Sequence, residues 1–137
     1  MSPVASASAE SAAVESLPTK DPYKEFNRAV KTFLREIMAR LPHVPEIKVA
    51  FATYKLLKTV NRKTPRGLFE RLIGPGGHQH IFDRDVAYFM RPDIDCDSAL
   101  SGLREAAKRE WGGLEPESQD AAWQHMQVMA VLSQRCG

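Results

Sequence analysis

The sequence has few cysteines, no long apolar run and little net charge. Only Cys96 and Cys136 occur among 137 residues. Two cysteines are too few for the disulfide framework of a small secreted domain, so we expect a reducing compartment. No apolar run approaches the ~18–20 residues needed to cross a bilayer, so we expect no membrane insertion. The net charge of +2 does not by itself indicate a polyanionic partner.

The N-terminal segment also lacks the features of a targeting sequence. It has no basic stretch followed by an apolar core, and Ser2 occupies the position where myristoylation requires glycine. We therefore expect a soluble, non-secreted protein. Residues 1–20 are rich in serine and alanine and contain no aromatic residue, which predicts a flexible tail. The alternative is an arm that becomes ordered only against a partner.

Residues 21–137 show helical periodicity interrupted by proline and glycine, and no alternation typical of strands. We predict an all-α fold, a compact bundle of about six helices behind the tail. The predicted helices begin at Asp21-Pro22, at Pro45, at Thr64-Pro65, at an Asp83 cap, at an Asp95 or Asp97 cap, and at Pro116. The sequence Gly74–Gly77 is predicted to end the third helix in a loop.

Two groups of residues resemble metal sites but lack essential ligands. Asp93, Asp95 and Asp97 alternate like the start of a calcium loop, yet Arg104 stands where the bidentate glutamate belongs. His78 and His80 could share zinc with His43, His125, Cys96 or Cys136. Each cysteine stands alone, however, whereas structural zinc sites use paired ligands at short spacing. We therefore predict no metal.

No catalytic motif is present. The sequence contains no G-x-S-x-G elbow, no C-x-x-C, no P-loop and no G-x-G-x-x-G. The glycines of 74–77 are not followed by the Lys-Ser/Thr of a phosphate cradle. We predict a non-enzymatic protein without a cofactor.

The strongest charge feature is the basic stretch 48–71, in which seven cations face only Glu70. Such a surface suits an acidic protein partner, and the alternative is a nucleic-acid backbone. The aromatic residues within it, Phe51, Tyr54 and Phe69, lie on apolar helix faces and are predicted to belong to the core. The cations are Lys48, Lys55, Lys58, Arg62, Lys63, Arg66 and Arg71.

The last helix contains the uncharged run 121–134, with two apolar faces. Trp123, Met126 and Met129 lie on one face, and Val128 and Val131 lie on the other. A helix that is apolar nearly all round is buried on most sides. It is either the central helix of the bundle or one that also docks a partner, in which case Val128 and Val131 are the candidate docking residues.

The same region carries a family resemblance. Residues 110–134 resemble the C-terminal pattern of small helical proteins of nucleocytoplasmic large DNA viruses, in which a tryptophan precedes a polar turn and a second opens an apolar final helix. The resemblance extends over residues 21–134, through Phe26, Phe33, Leu34, Leu41-Pro42, Asn61, Pro65, Phe69, Ile81, Asp83, Asp85 and Phe89.

This resemblance implies a viral structural or interaction protein of the virion-associated type, such as a minor capsid or accessory protein. It implies other viral structural proteins as partners and the virion or host cytoplasm as the location. It carries no catalytic residue. Nucleic-acid binding through 48–71 and formation of a homo-oligomer stay open as alternatives.

Overall fold

The computed structural model describes residues 21–91 and 98–136, without the side chains of 98–100. Regular structure in this part is entirely α-helical, as predicted. The helices are α1 (Pro22–Arg40), α2 (Pro45–Val60), α3 (Thr64–Ile73), α4 (Gly77–Phe82), α5 (Val86–Phe89), α6 (Ser98–Trp111) and α7 (Pro116–Cys136). The predicted tail 1–20, the aspartates 93, 95 and 97 and Cys96 lie outside the described residues.

The helix starts follow local chemistry. Asp21 accepts a hydrogen bond from the backbone N–H of Lys24 at 3.2 Å, and so satisfies one of the unpaired donors of the first turn of α1. Pro22, Pro45 and Pro65 stand in the first turns of α1, α2 and α3, where the missing N–H of proline costs nothing. No helix of the described ranges combines the length and hydropathy that a membrane span requires.

The region after α3 contains one helix more than the six that the sequence indicated. Helix α4 begins at Gly77, inside the stretch expected to be a loop. Gly74 and Gly76 have φ of 73° and 77°, a conformation that favours glycine and turns the chain sharply. A Cβ on Gly77 would lie 2.7 Å from Cβ of Ile73. Gly74 therefore ends α3, as predicted, and Gly77 lets α4 start directly against α3.

The cap of the next helix also differs from the prediction. Asp85, not Asp83, caps α5 by accepting the backbone N–H of Tyr88 at 3.2 Å. Asp83 lies at the C-terminal end of α4 and accepts a hydrogen bond from Gln79 at 3.0 Å. Because α4 extends to Phe82, Asp83 lies at the end of α4, and Asp85, two positions later, lies at the start of α5.

The core forms where α7 packs along α1 and against α4 and α3. Phe26 and Phe69 meet at 5.4 Å between ring centroids. The core residues of this cluster are Phe26, Phe69, Ile73, Ile81, Met129, Ala130 and Leu132. A smaller cluster of Val44, Ile47 and Ala106 joins α6 to the start of α2. Helix α6 packs chiefly against α2.

Burial decides the role of α7. Trp123, Ala130 and Leu132 are buried, and Val131 is only 3% exposed. Val128 is half-buried and packs against the main core cluster. Val131 is therefore covered by the chain's own helices, which corrects its assignment as a docking residue. The helix is central because both of its apolar faces have neighbours within the domain.

Candidate binding surface and internal cavity

Three large aliphatic side chains stand exposed on one side of α2. Val49 is 63% exposed, Leu56 is 65% exposed and Val60 is 78% exposed. Their spacings of seven and four residues place them on one helix face, which we call the α2 stripe. The opposite side of the helix buries Ile47 and Tyr54 in the domain. Single exposed aliphatic residues are normal on proteins, whereas aligned ones form an apolar patch, which is a candidate interaction surface.

Two lysines border the α2 stripe. Lys48 and Lys55 are both exposed, and their spacing of seven residues places them on a common flank. Neither forms an ion pair with a described residue, and the ammonium of Lys55 lies 4.8 Å from the ring centroid of Phe51. The flank is therefore a positively charged edge beside an apolar face.

A groove of about 440 Å³ runs between α2 and α6 next to the stripe, and Val49 belongs to both. Gly102 keeps the groove open, because it contributes no side chain to the wall and a Cβ there would meet no atom closer than Cγ of Glu46, at 4.0 Å. On the side facing α6, the α2 stripe therefore borders a groove and not a flat surface. The groove is lined by Pro45, Glu46, Val49, Ala50, Thr53, Gly102 and Leu103.

The other five cations of 48–71 lie off the lysine flank, and each has a contact within the domain, as Lys55 also has with Phe51. Arg62 pairs with Asp21 at 2.5 Å, and the Lys63 ammonium lies 5.4 Å from the Tyr23 ring centroid. The Lys58 ammonium lies over Tyr54 at 5.7 Å. Arg66 donates to the carbonyl and hydroxyl oxygens of Ser133 at 3.2 and 3.1 Å. Arg71 is exposed and has its own contacts. The seven cations therefore do not present one uniform surface.

An apolar cavity of about 310 Å³ lies between α6 and the rest of the bundle. Ala107 lines the cavity and is itself exposed, so the cavity opens to solvent beside α6 and is not an enclosed void. Its walls include Leu34, Ile37, Ile47, Leu57, Leu72, Ala106, Trp111, Trp123 and Met126.

One charged side chain in the cavity wall is almost fully buried. The side chain of Arg104 is 10% exposed. Its Nη2 donates to the carbonyl oxygen of Arg91, and its Nη1 lies 3.5 Å from the carboxylate of Glu105. Its Nε is buried and has no hydrogen-bond partner among the described residues. A buried donor of this kind is costly unless a partner satisfies it.

Each histidine lies beside a different carboxylate. His43 contacts Glu110 at 3.3 Å and His125 contacts Glu36 at 2.7 Å. His78 and His80 lie on α4 and contact Glu70 and Asp85, at 2.8 and 2.9 Å. Within the described ranges no three His, Cys, Asp or Glu side chains converge as metal ligands. His78 and His80, which the sequence analysis considered as a metal-binding pair, thus contact two different carboxylates. Burial raises the pKa of the Cys136 thiol.

Serine, glutamate and histidine do meet at one point, in an order unlike a catalytic triad. Glu70 stands in the middle, accepting a hydrogen bond from the Ser133 hydroxyl and contacting Nε2 of His78. In a triad the histidine is central and takes the serine proton. Burial raises the pKa of Glu70, but the hydrogen bonds from Ser133 and His78 and the charges of His78 and Arg66 outweigh burial and hold the pKa below 4.5. The cluster joins helices rather than activating a nucleophile.

Comparisons with protein-family models, curated proteins and solved structures give no match for this chain. The site is therefore argued from its own residues. Sequence reasoning placed Lys48 and Lys55 in the basic stretch but missed the α2 stripe, although the spacing of Val49, Leu56 and Val60 is visible in the sequence. It also treated Arg104 only as a residue incompatible with calcium.

Proposed function

We propose that this protein is a non-enzymatic interaction protein, which binds an acidic amphipathic helix of a partner protein on the α2 stripe and its lysine flank. The observation that carries the proposal is the alignment of Val49, Leu56 and Val60, each more than three-fifths exposed, beside the lysine flank. A helix packed there would bury its leucine-type residues in the stripe and the adjoining groove.

Charge favours an acidic partner over a second copy of this chain. In a two-fold dimer through the stripe, the lysine flanks of both copies would approach the same interface, and like charges brought together destabilise it. A partner with glutamate or aspartate beside its apolar face would pair with Lys48 and Lys55 instead. The proposal therefore names a heterologous, acidic partner.

The shape and chemistry of the stripe also separate it from a nucleic-acid site. Binding to single strands uses exposed aromatic faces on which bases stack, but Tyr54 is 6% exposed and Phe51 is half-buried. Aliphatic side chains at the centre of the surface suit an apolar helix face.

The direct test uses a synthetic helical peptide with leucine in a heptad pattern and glutamate on both flanks. Full-length protein should bind this peptide saturably, and the same peptide with lysine in place of glutamate should bind at least tenfold more weakly. Leu56→Gln with Val60→Gln should weaken binding at least about a hundredfold, since burial of each side chain contributes about 1.5–3 kcal/mol and each ~1.4 kcal/mol is a factor of ten. Thr32→Gln, at an exposed position of α1 outside the α2 stripe and its lysine flank, is the matched control.

The contribution of charge is tested with Lys48→Glu together with Lys55→Glu. These changes should reduce the affinity for the acidic peptide and the dependence of that affinity on salt. Lys24→Glu with Arg35→Glu, two exposed positions of α1, should leave both unchanged. Absence of binding to the acidic peptide, or equal binding of both peptides, would overturn the proposal. Concentration-dependent dimerisation that Leu56→Gln abolishes would assign the stripe to a second copy instead.

The proposed setting is the virion of a large DNA virus, with another viral structural protein as the partner. This part rests on the resemblance of residues 21–134 alone. Mass spectrometry of purified virions should detect the chain at a stoichiometry reproducible between preparations. Detection only in the soluble fraction of infected cells would remove the virion from the proposal and leave the acidic partner to be sought there.

A further inference from the structure

We infer that the groove between α2 and α6 receives one bulky apolar side chain of the partner helix. The two flanks of that helix then differ, being acidic toward the lysine flank and apolar toward α6. The inference rests on the proposed function, because it specifies the partner of the α2 stripe. Its structural basis is the position of the groove beside the stripe and the presence of Gly102 in the groove wall.

The groove and the lysine flank lie on opposite sides of the α2 stripe. Val49 belongs to the stripe and also lines the groove. Glu46 and Thr53, which line the groove, lie about 40–60° to one side of Val49, since an α-helix turns by about 100° per residue. By the same rule Lys48 and Lys55 lie about 100–120° to the other side. A helix packed on the stripe therefore has one flank over the lysines and the other over the groove.

The groove offers an acidic side chain no free cation. Among the described residues that line it, Glu46 alone is charged, and its carboxylate contacts the guanidinium of Arg109 at 3.1 Å. Arg109 also contacts the carboxylate of Glu110 at 3.1 Å, so its charge is already compensated. A carboxylate of the partner thus gains a charge contact on the side of Lys48 and Lys55, and an apolar side chain suits the groove side.

Gly102 determines how large that side chain can be. It is the fifth residue of α6 and is exposed, although glycine is, after proline, the least favourable residue in a helix interior. Its φ is not in the left-handed region, and a Cβ would lie 4.0 Å from the nearest described atom, Cγ of Glu46. Neither the backbone nor packing within the domain therefore requires glycine here. A larger residue would instead fill the space between α6 and α2.

The size of the groove suits an anchoring side chain. Its volume is about 440 Å³, and a bulky residue seated in it would be covered by α2 on one side and by α6 on the other. Side chains enclosed in this way contribute most of the binding energy at protein interfaces, and tryptophan is common among them. We therefore use tryptophan as the probe.

The experiment uses the acidic leucine peptide of the proposed function, in a series in which one flanking glutamate at a time is replaced by tryptophan or by alanine. Calorimetry with the full-length protein gives each affinity. On one flank, tryptophan should bind at least tenfold more tightly than alanine at the same position. On the other flank the two should bind within about threefold of each other, because that flank faces the lysines.

Gly102→Leu should remove the gain from tryptophan, because leucine occupies the groove, and should keep the affinity for the alanine peptides within about threefold. Leucine favours a helix more than glycine does, so the variant should fold, and its thermal melt checks this. Ser101→Leu is the matched control, at an exposed position of α6 outside the groove wall, and should keep the gain.

Three results would overturn the inference and leave the α2 stripe as the binding site. They are no gain from tryptophan on either flank, equal gains on both flanks, and a gain that survives Gly102→Leu. The first two are read on the unmodified chain, so they hold whether or not the variant folds. Absence of binding by every peptide of the series would overturn the proposed function, and the inference with it.

Discussion

The hydroxyl of Ser133 on α7 donates a hydrogen bond to Oε2 of Glu70 on α3. Ser133 is completely buried, and Glu70 also contacts His78 of α4 at 2.8 Å. Arg66, one turn earlier on α3, donates to the same serine hydroxyl oxygen at 3.1 Å. One carboxylate of α3 thus connects α4, the next helix along the chain, with α7, which is distant in sequence, at the edge of the main core cluster.

The Glu70 cluster should make stability depend on pH in the acid range. The folded-state pKa of Glu70 is below 4.5, so the folded chain binds fewer protons than the unfolded chain. Its contribution is therefore fully present above pH 4.5 and is lost as the pH falls through the folded-state pKa. Glu70→Gln should lower the free energy of unfolding near pH 7, and its difference from the unmodified chain should shrink in more acid solution.

Urea denaturation between about pH 3 and pH 7 measures this difference. Glu105→Gln is the matched control, since the Glu105 side chain is 63% exposed and its replacement should have little effect at any pH. A difference for Glu70→Gln that stays constant over the whole range would contradict the assigned pKa shift.

Trp123→Ala should destabilise the domain by about 3–5 kcal/mol, the usual cost of deleting a large buried aromatic side chain. Trp123 is 6% exposed and contacts Trp111 and Phe89, at 5.5 and 6.1 Å between ring centroids. Val60→Ala, at a position 78% exposed, should change the free energy of unfolding by less than about 0.5 kcal/mol. Similar losses for the two variants in chemical denaturation would show that Trp123 is not part of the core.

Val131→Ser together with Leu132→Ser should unfold the isolated domain. Both side chains are buried, at 3% and 6% exposure, and the new hydroxyl groups would lie among apolar neighbours. Gln134→Ser, at an exposed position of the same helix, should leave the melt unchanged. A native circular-dichroism melt for the double variant, with altered sedimentation, would restore this face of α7 as a docking surface.

Duplex DNA should show no measurable binding at physiological salt. Arg62 already pairs with Asp21 and Arg66 with Ser133, and the seven cations of 48–71 do not form one surface along which a phosphate backbone could release its counterions. Fluorescence anisotropy with a labelled duplex, repeated at several salt concentrations, checks this. A submicromolar complex that weakens steeply with salt, and that loses slope when Lys55, Lys58, Arg62 and Lys63 are neutralised, would establish the nucleic-acid alternative.

Local signals in the sequence determined the helices and much of the core. Asp21-Pro22, Pro45, Thr64-Pro65 and Pro116 set helix starts because capping and proline effects act within one turn. Periodicity identified Phe69 and Tyr54 as core residues because one helix face must be buried. The glycines of 74–77 end α3 at Ile73, as predicted, but the sequence did not show that Gly77 also permits close packing of the next helix.

Only the tertiary structure decided which apolar faces are covered and which cations are paired. Val131 and Leu56 are both aliphatic residues on helices, yet Val131 is 3% exposed and Leu56 is 65% exposed. The difference arises from which helices pack beside α7 and α2, and such contacts join residues far apart in the chain. For the same reason, the sequence could place Arg104 on a helix but could not show that the fold would bury its guanidinium at the wall of an apolar cavity.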